Sequence, residues 1–118
     1  MAETGLFIGW GTPHPGREMA SIKVFEEAVD YWDTLKAAGE IESVEYAILG
    51  AHGGDLAGFA LLRGDLEKLE RLSLAPDFQR MVQRAGVVAR NVGVVRAVLG
   101  ADARGMMAAH REIVADLV

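Results

Sequence analysis

Two hydrophobic periodicities alternate along this chain, and their order restricts the folds that it can adopt. A period of two, typical of β-strands, occurs in residues 6–11, 41–49 and 58–62, and a valine-rich run at residues 87–99 indicates a fourth strand kinked at Gly93. Apolar residues at steps of three and four, typical of amphipathic helices, occupy the other segments. The order β-α-β-β-α-β-α predicts an α+β fold with a four-stranded antiparallel sheet, two crossover helices and an extra C-terminal helix.

Residues with capping chemistry bound the predicted helices. The first helix is predicted for residues 17–38 and ends at Gly39, which can adopt the left-handed conformation of a C′ residue. Its apolar stripe comprises Ile22, Phe25, Val29, Trp32 and Leu35. The second helix follows Asp65 as its N-cap, is broken at Pro76 and is predicted to end at Gly86. A short closing helix carries on one side Met106, His110, Ile113 and Leu117.

Composition excludes several kinds of protein. With 118 residues, of which 51% are hydrophobic, the chain is long and apolar enough for one domain spanning residues 1–118. It has no cysteine, which excludes disulfides, thiolate metal sites and a cysteine nucleophile. A net charge of −5 argues against nucleic-acid binding. Because no signal sequence begins the chain and no apolar run reaches the ~18 residues of a membrane span, we expect a cytoplasmic protein with no membrane partner.

The predicted strands are apolar on both faces. Phe7 alternates with Ile8 in the first strand, and Phe59 alternates with Leu62 in the third. Right-handed crossovers place both helices on one face of the sheet, so the second apolar face has no cover from its own chain. The same face of another copy is the simplest cover. We therefore predict a twofold homodimer whose sheets pack face to face.

This pattern resembles the dimeric α/β barrels, a superfamily of ferredoxin-like βαββαβ proteins that includes antibiotic-biosynthesis-type monooxygenases, EthD-like and YCII-like proteins and haem-degrading enzymes. The resemblance rests on the element order, on the strand–turn–strand of residues 46–64 and on the broken helix at residues 74–81. Within that helix, Asp77 and Phe78 are similar to the superfamily's acidic residue and phenylalanine before the last strand. The resemblance covers nearly the whole chain, and the sequence looks most like small uncharacterised bacterial members. It implies the fold and a homodimer but assigns no residue to a reaction, because the superfamily hosts several activities.

The glycine-rich turn after the second strand holds the most suggestive polar residues. His52 and Asp55 would suit an acid/base pair there, and Tyr46 on the preceding strand is a third catalytic candidate. Turn formation alone also explains Asp55 and the glycines, and we favour that interpretation. The three histidines, which include His14 and His110, lie on separate predicted elements, so we expect no metal site and no cofactor. A haem would have only His52 or His110 to use, and His110 is expected to pack as part of an apolar stripe.

An apolar pocket between helices and sheet is the second candidate site. Its predicted lining comprises Trp10, Tyr31, Trp32, Tyr46, Phe59 and Arg96. Trp32 and Phe59 are assigned to the core, whereas Trp10, His14 and Arg96 are candidate ligand-binding residues because each carries a polar group that needs a partner. Arg96 would favour an anionic ligand if it faced the cavity; exposure at the edge of the sheet or pairing with Glu45 is the alternative that we favour.

Three functions remain open from the sequence. A small-molecule binding protein would use the pocket for an apolar or aromatic ligand without chemistry. A cofactor-independent monooxygenase or isomerase would need an ordered polar group in the same pocket, such as His52, Tyr46 or Asp55. A non-catalytic assembly module would have a filled core and no cavity. The resemblance favours the two functions that need a pocket.

Overall fold

The computed structural model describes residues 4–117, which form four strands, four α-helices and one 3-10 helix. These elements are β1 (Thr4–Trp10), α1 (Glu18–Ala37), β2 (Ser43–Ile48), β3 (Gly58–Arg63), α2 (Leu66–Leu74), α3 (Pro76–Val88), β4 (Gly93–Val98), α4 (Gly100–Ile113) and the 3-10 helix Ala115–Leu117. The predicted element order is confirmed.

The four strands form one antiparallel sheet in the order β2-β3-β1-β4. Its register places Ile8 of β1 between Ala60 of β3 and Val94 of β4, and Ala60 in turn lies beside Tyr46 of β2. Because side chains alternate along a strand, these four residues all point to the same face of the sheet. We call it the helix face, since α1, α2 and α3 cover it.

The core lies between the helix face and those three helices. Its buried residues are Leu6, Ile8, Ala28, Trp32, Leu35, Ile41, Ala60, Leu62, Leu69, Leu72 and Phe78. The stripe of α1 is rotated from the predicted one: Val24 and Ala28 are buried, whereas Ile22 is 52% exposed. Phe25 and Val29, which belong to the predicted stripe, are partly buried and pack against the edge of the core.

The helical segment before β4 is longer than predicted. Its break at Pro76 is confirmed, but Gly86 does not end it, and α3 continues to Val88. Phe78, Val82 and Val88 share one side of that helix, so their burial favours helix over the strand that the β-branched valines suggested. The strand β4 therefore begins only at Gly93, after Asn91 reverses the chain with a φ of 54°.

The opposite face of the sheet, here called the open face, has no helix over it. Phe7, Phe59 and Leu61 project there, and Phe7 stacks on Phe59 with ring centroids 5.5 Å apart. Phe59, which the sequence assigns to the core, is therefore only half-buried. Val95, opposite Phe7 on β4, is 60% exposed. The prediction that both faces of the sheet are apolar is confirmed.

The last helix, α4, leaves the body of the protein. None of its side chains is buried, and its main contact is with the 3-10 helix that follows it. The radius of gyration is accordingly 16.3 Å, compared with about 13.5 Å for a compact domain of this length. His110, predicted to pack within an apolar stripe, is instead exposed.

A side-chain cap begins α2, as predicted. The carboxylate of Asp65 accepts a hydrogen bond from the backbone N–H of Lys68 at 3.3 Å. We expect Asp65→Ala to lower the free energy of unfolding by about 1 kcal/mol, because one N–H of the first turn loses its acceptor. Urea denaturation would measure the loss, and Asp65→Asn should retain most of the stability. A loss of equal size in both variants would show that the cap contributes nothing.

Candidate functional site

A cavity of about 290 Å³ lies between α1, α3 and the helix face of the sheet. Its lining comprises Ile8, Trp10, Gly11, Pro13, Ser21, Ile22, Val24, Phe25, Ala28, Trp32, Ile48, Ala57, Met81, Val82, Ala85, Val88, Ala89 and Val92. The cavity is open to solvent, with Ile22 and Ile48 of its lining 52% and 68% exposed, and its inner end reaches the core residues Ile8 and Trp32.

Small residues opposite large ones account for this space. Ala28 on α1 and Ala85 on α3 line the cavity and carry only a methyl group. Neither side chain is large enough to fill the space between its helix and the sheet. Trp10 lies across Gly58 on the neighbouring strand, where a Cβ atom would come within 2.7 Å of the indole ring. A side chain at position 58 would therefore displace Trp10 from the wall of the cavity.

An aromatic cluster forms one side of the cavity. The ring of Phe25 lies 5.7 Å from that of Trp10, 6.4 Å from that of Trp32 and 5.8 Å from that of Tyr46, measured between centroids. The Phe25–Trp32 and Phe25–Tyr46 pairs are edge-to-face, an arrangement favoured by the quadrupoles of the rings. This side of the cavity can therefore contact a flat apolar ligand.

The lining is nearly free of polar groups. No residue among those that line the cavity is charged, and the one hydroxyl, that of Ser21, donates to the backbone oxygen of Glu18 at 2.7 Å. The indole N–H of Trp32 is buried and has no acceptor within residues 4–117. The wall of the cavity is therefore an apolar surface, which disfavours a charged occupant.

A bidentate ion pair joins the two helices that border the cavity. Arg84 of α3 donates from Nε to Oε1 of Glu27 at 3.0 Å and from Nη2 to Oε2 at 3.1 Å. Both side chains are partly exposed, so the pair contributes little to stability. Its fork geometry does restrict how far α1 and α3 can separate.

The three catalytic candidates lie outside the cavity. His52 and Asp55 are exposed in the β2–β3 turn, and the Nε2 of His52 is 2.7 Å from the carbonyl oxygen of Leu56. Tyr46 is 48% exposed and reaches the aromatic cluster from its outer side. The turn geometry that we favoured for His52 and Asp55 agrees with this placement, since Gly53 has a φ of 83°.

Of the ligand-binding candidates, only Trp10 lines the cavity. His14 belongs to the loop after β1, where its backbone N–H donates to the oxygen of Val88. Arg96 is exposed on the edge strand β4, which confirms the first of the two favoured alternatives, edge exposure, and excludes the second, pairing with Glu45. Glu45 lies on β2 at the other edge of the sheet and is 3.7 Å from Arg63.

Sequence reasoning missed part of the contribution of α3. Met81 and Val82 were expected to face inward, but assigning residues beyond Gly86 to a strand concealed that Val88 continues the same helical spacing, and Ala85 gave no signal of its own. Tyr31, a predicted lining residue, lies instead in a shallow hollow beside α2. Burial there raises the pKa of the Tyr31 phenol, and the negative charge of Asp77 adds to the rise.

The part of the chain that the structure describes contains neither a metal-binding cluster nor a membrane-spanning helix. No three histidine, aspartate or glutamate side chains between residues 4 and 117 lie close enough together to hold a metal ion. No helix in the same range has the length and apolar character to cross a bilayer.

Several solved structures share the fold of this chain. A dimeric ferredoxin-like protein of unknown function from Jannaschia sp. CCS1 has 15% identity and a TM-score of 0.59, covering 82% of this chain and 98% of its own. An EthD-family protein from Bacillus halodurans has 12% identity and a TM-score of 0.59, covering 82% and 97%. SnoaB, a cofactor-independent oxygenase from Streptomyces nogalater, has 12% identity and a TM-score of 0.56, covering 84% and 95%. No family model and no curated protein matches the chain. The matches confirm the ferredoxin-like fold that the resemblance predicted.

Proposed function

We propose that this protein binds a small, neutral, apolar or aromatic molecule in the cavity between α1, α3 and the sheet. The observation that carries the proposal is a cavity of about 290 Å³ whose lining contains no charged side chain. Ligand pockets typically begin at about 300 Å³ and are mostly apolar. This volume therefore suits a ligand of one or two fused rings.

The cost of an unfilled cavity supports a binding role over an assembly module. The cavity is open to solvent, so its apolar lining stays in contact with water until a ligand covers it, at a cost of roughly 25 cal/mol per Å². A chain with no ligand could remove that cost by exchanging Ala85 or Ala28 for a larger residue. The small size of Ala28 and Ala85 is explained if a ligand occupies the cavity.

The charge distribution supports a neutral ligand. Arg96 and Arg90, which would attract an anion if they faced the cavity, are exposed and do not line it. The absence of His52, Asp55 and Tyr46 from the lining also leaves the cavity without an evident proton donor or acceptor of the kind a monooxygenase or isomerase would use. Binding without turnover is therefore the function that we favour.

We further propose a homodimer formed through the open face. Phe7, Phe59 and Leu61 give that face an apolar centre, which a single chain leaves in contact with water. The Jannaschia protein, which shares the fold, is described as dimeric. Packing the two open faces together would leave the cavities on the outer sides of the dimer, since each lies on the helix face.

The chain's two tryptophans allow a direct test, because Trp10 and Trp32 both line the cavity. The neutral probe N-phenyl-1-naphthylamine absorbs where tryptophan emits. We expect it to bind once per protomer, with energy transfer that falls in Trp10→Phe and Trp32→Phe variants. Probe binding without transfer would place the ligand elsewhere, and absence of binding would contradict the proposal. Native mass spectrometry of freshly purified protein would also reveal any retained molecule and the number of subunits.

A further inference from the structure

The helix α4 is amphipathic although it buries none of its side chains in its own chain. Its large apolar residues Met106, Met107 and Ile113 lie at steps of three and four together with Ala103 and His110. At 3.6 residues per turn they fall within a sector of about 120°, the width typical of a buried helix face. We call this set the α4 stripe.

Of the polar residues of α4, His110 alone lies within that sector. Arg104, Arg111 and Glu112 project to the other side of the helix, and Asp102 lies at the border of the sector, beside Ile113. Met106 and Ile113 are 60% and 72% exposed, so the apolar side of the helix faces water in the single chain. A solvated helix gains nothing from segregating its apolar side chains in this way, which indicates that a partner covers them.

The helix begins on the open face of the sheet. Leu99, the residue that joins β4 to α4, lies over Gly5 on that face, where a Cβ would be 3.3 Å from a Leu99 methyl carbon and 3.0 Å from one of Leu61. The apolar surface of the open face is therefore continuous with the start of the α4 stripe. Whatever covers the open face also meets the first turn of α4.

We propose that α4 packs across the subunit boundary, with its stripe against a second copy of this chain at the margin of that copy's open face. This inference rests on the proposed homodimer. In a twofold dimer each subunit's helix would extend over the other, so both stripes would be buried by the same symmetry operation.

The number of residues on the open face supports a second copy of this chain as the partner that covers it. Each strand presents three residues on that face, which gives twelve in all. A standard protein interface uses roughly 20–30 residues a side. The open face alone falls short of that number, whereas adding the five residues of the α4 stripe and Leu99 brings the total to eighteen, close to the lower end of that range.

The charge of α4 argues against a lipid surface as the partner that covers the α4 stripe. Helices that lie on membranes carry mainly lysine and arginine on the polar side. The polar side of α4 carries two arginines together with Asp102 and Glu112, which leaves no excess of positive charge. No basic surface is present to attract anionic lipid.

Photo-crosslinking through a single cysteine tests the contact directly, because the chain has no cysteine of its own. Met106→Cys, carrying a benzophenone maleimide, is expected to give a covalent dimer on illumination. The matched control Arg104→Cys, two residues away on the polar side, should give little. Mixing chains with and without ¹⁵N labels lets mass spectrometry separate crosslinks between chains from those within one. Crosslinks only within one chain would show that α4 folds back on its own sheet and would overturn the inference.

Sedimentation equilibrium separates this inference from the dimer on which it depends. Met106→Asp is expected to raise the dimer dissociation constant about tenfold or more, whereas Ala108→Asp, on the polar side of the same helix, should leave it unchanged. Circular dichroism would check that both variants keep α4 helical. A native chain that is monomeric would contradict the homodimer itself, and a stable dimer insensitive to Met106→Asp would contradict only the role of α4.

Discussion

An aspartate on the open face of the sheet is expected to convert the dimer to a monomer. Phe59→Asp would place an unpaired carboxylate at the centre of the proposed interface, beside Phe7, whose ring lies 5.5 Å away. Burying an unpaired charge costs several kcal/mol, so we expect the dimer dissociation constant to rise by about 100-fold or more. Sedimentation equilibrium over a range of protein concentrations would measure it.

A second variant keeps the test valid if Phe59→Asp impairs folding. Val95 also lies on the open face but is 60% exposed in the single chain, so Val95→Asp adds a charge that the isolated subunit tolerates. Arg96→Asp, one residue along and directed to the opposite side of β4, is the control. A dimer that persists with an unchanged dissociation constant in both open-face variants would place the interface elsewhere on the molecule.

Filling the cavity is expected to abolish binding of the probe. Ala85→Phe would place a ring in the space between α1 and α3 that the ligand needs. An aromatic ring buries about 150 Å² or more, and losing that burial costs roughly 3–4 kcal/mol, equivalent to at least about 100-fold in affinity. Titration with N-phenyl-1-naphthylamine, followed by energy transfer from tryptophan, would measure the loss.

The control for this variant lies on the same helix. Gln83 is exposed and does not line the cavity, so Gln83→Phe adds the same ring without filling the space. It should bind the probe as the native chain does. Urea denaturation should show that Ala85→Phe remains folded, because the ring enters an existing cavity. Retained affinity in folded Ala85→Phe would mean that the probe, and the proposed ligand, bind at another apolar surface.

The two experiments address different parts of the proposal. Open-face variants change association but leave the helix face, and hence the cavity, intact. The cavity variant changes probe binding but not the open face. A monomeric Val95→Asp that still binds the probe would show that each subunit carries a complete site, as the lining from one chain implies.

The local chemistry of several residues was sufficient to predict their structure. Asp65 caps α2, Pro76 starts α3 and Gly39 adopts a φ of 77° after α1, because each of these residues acts on backbone atoms within a few positions of itself. Residues Phe7, Phe59 and Val95 alternate with core residues along their strands, so the apolar open face was also predictable. The period of a strand decides the face of each side chain without reference to distant contacts.

The candidate site was less predictable than the fold. Trp10 was identified because an indole on a strand next to a loop needs both an apolar and a polar neighbour. Ala85 and Ala28 carry no chemical signal, although their small size creates the cavity. Space is a property of the residues on both sides of it, and those residues lie on elements that are far apart in the sequence.

The order of the elements, most helix boundaries and the apolar character of both sheet faces follow from local sequence, because capping and periodicity act over a few neighbouring residues. The continuation of α3 through Gly86 follows instead from packing, since the burial of Val88 against the core outweighs the strand preference of valine. The strand order separates Arg96 from Glu45, because β4 and β2 lie at opposite edges of the sheet. The arrangement of the helices leaves His110 and the rest of α4 unburied. These features depend on strand order and helix packing, which bring together residues that no local pattern connects.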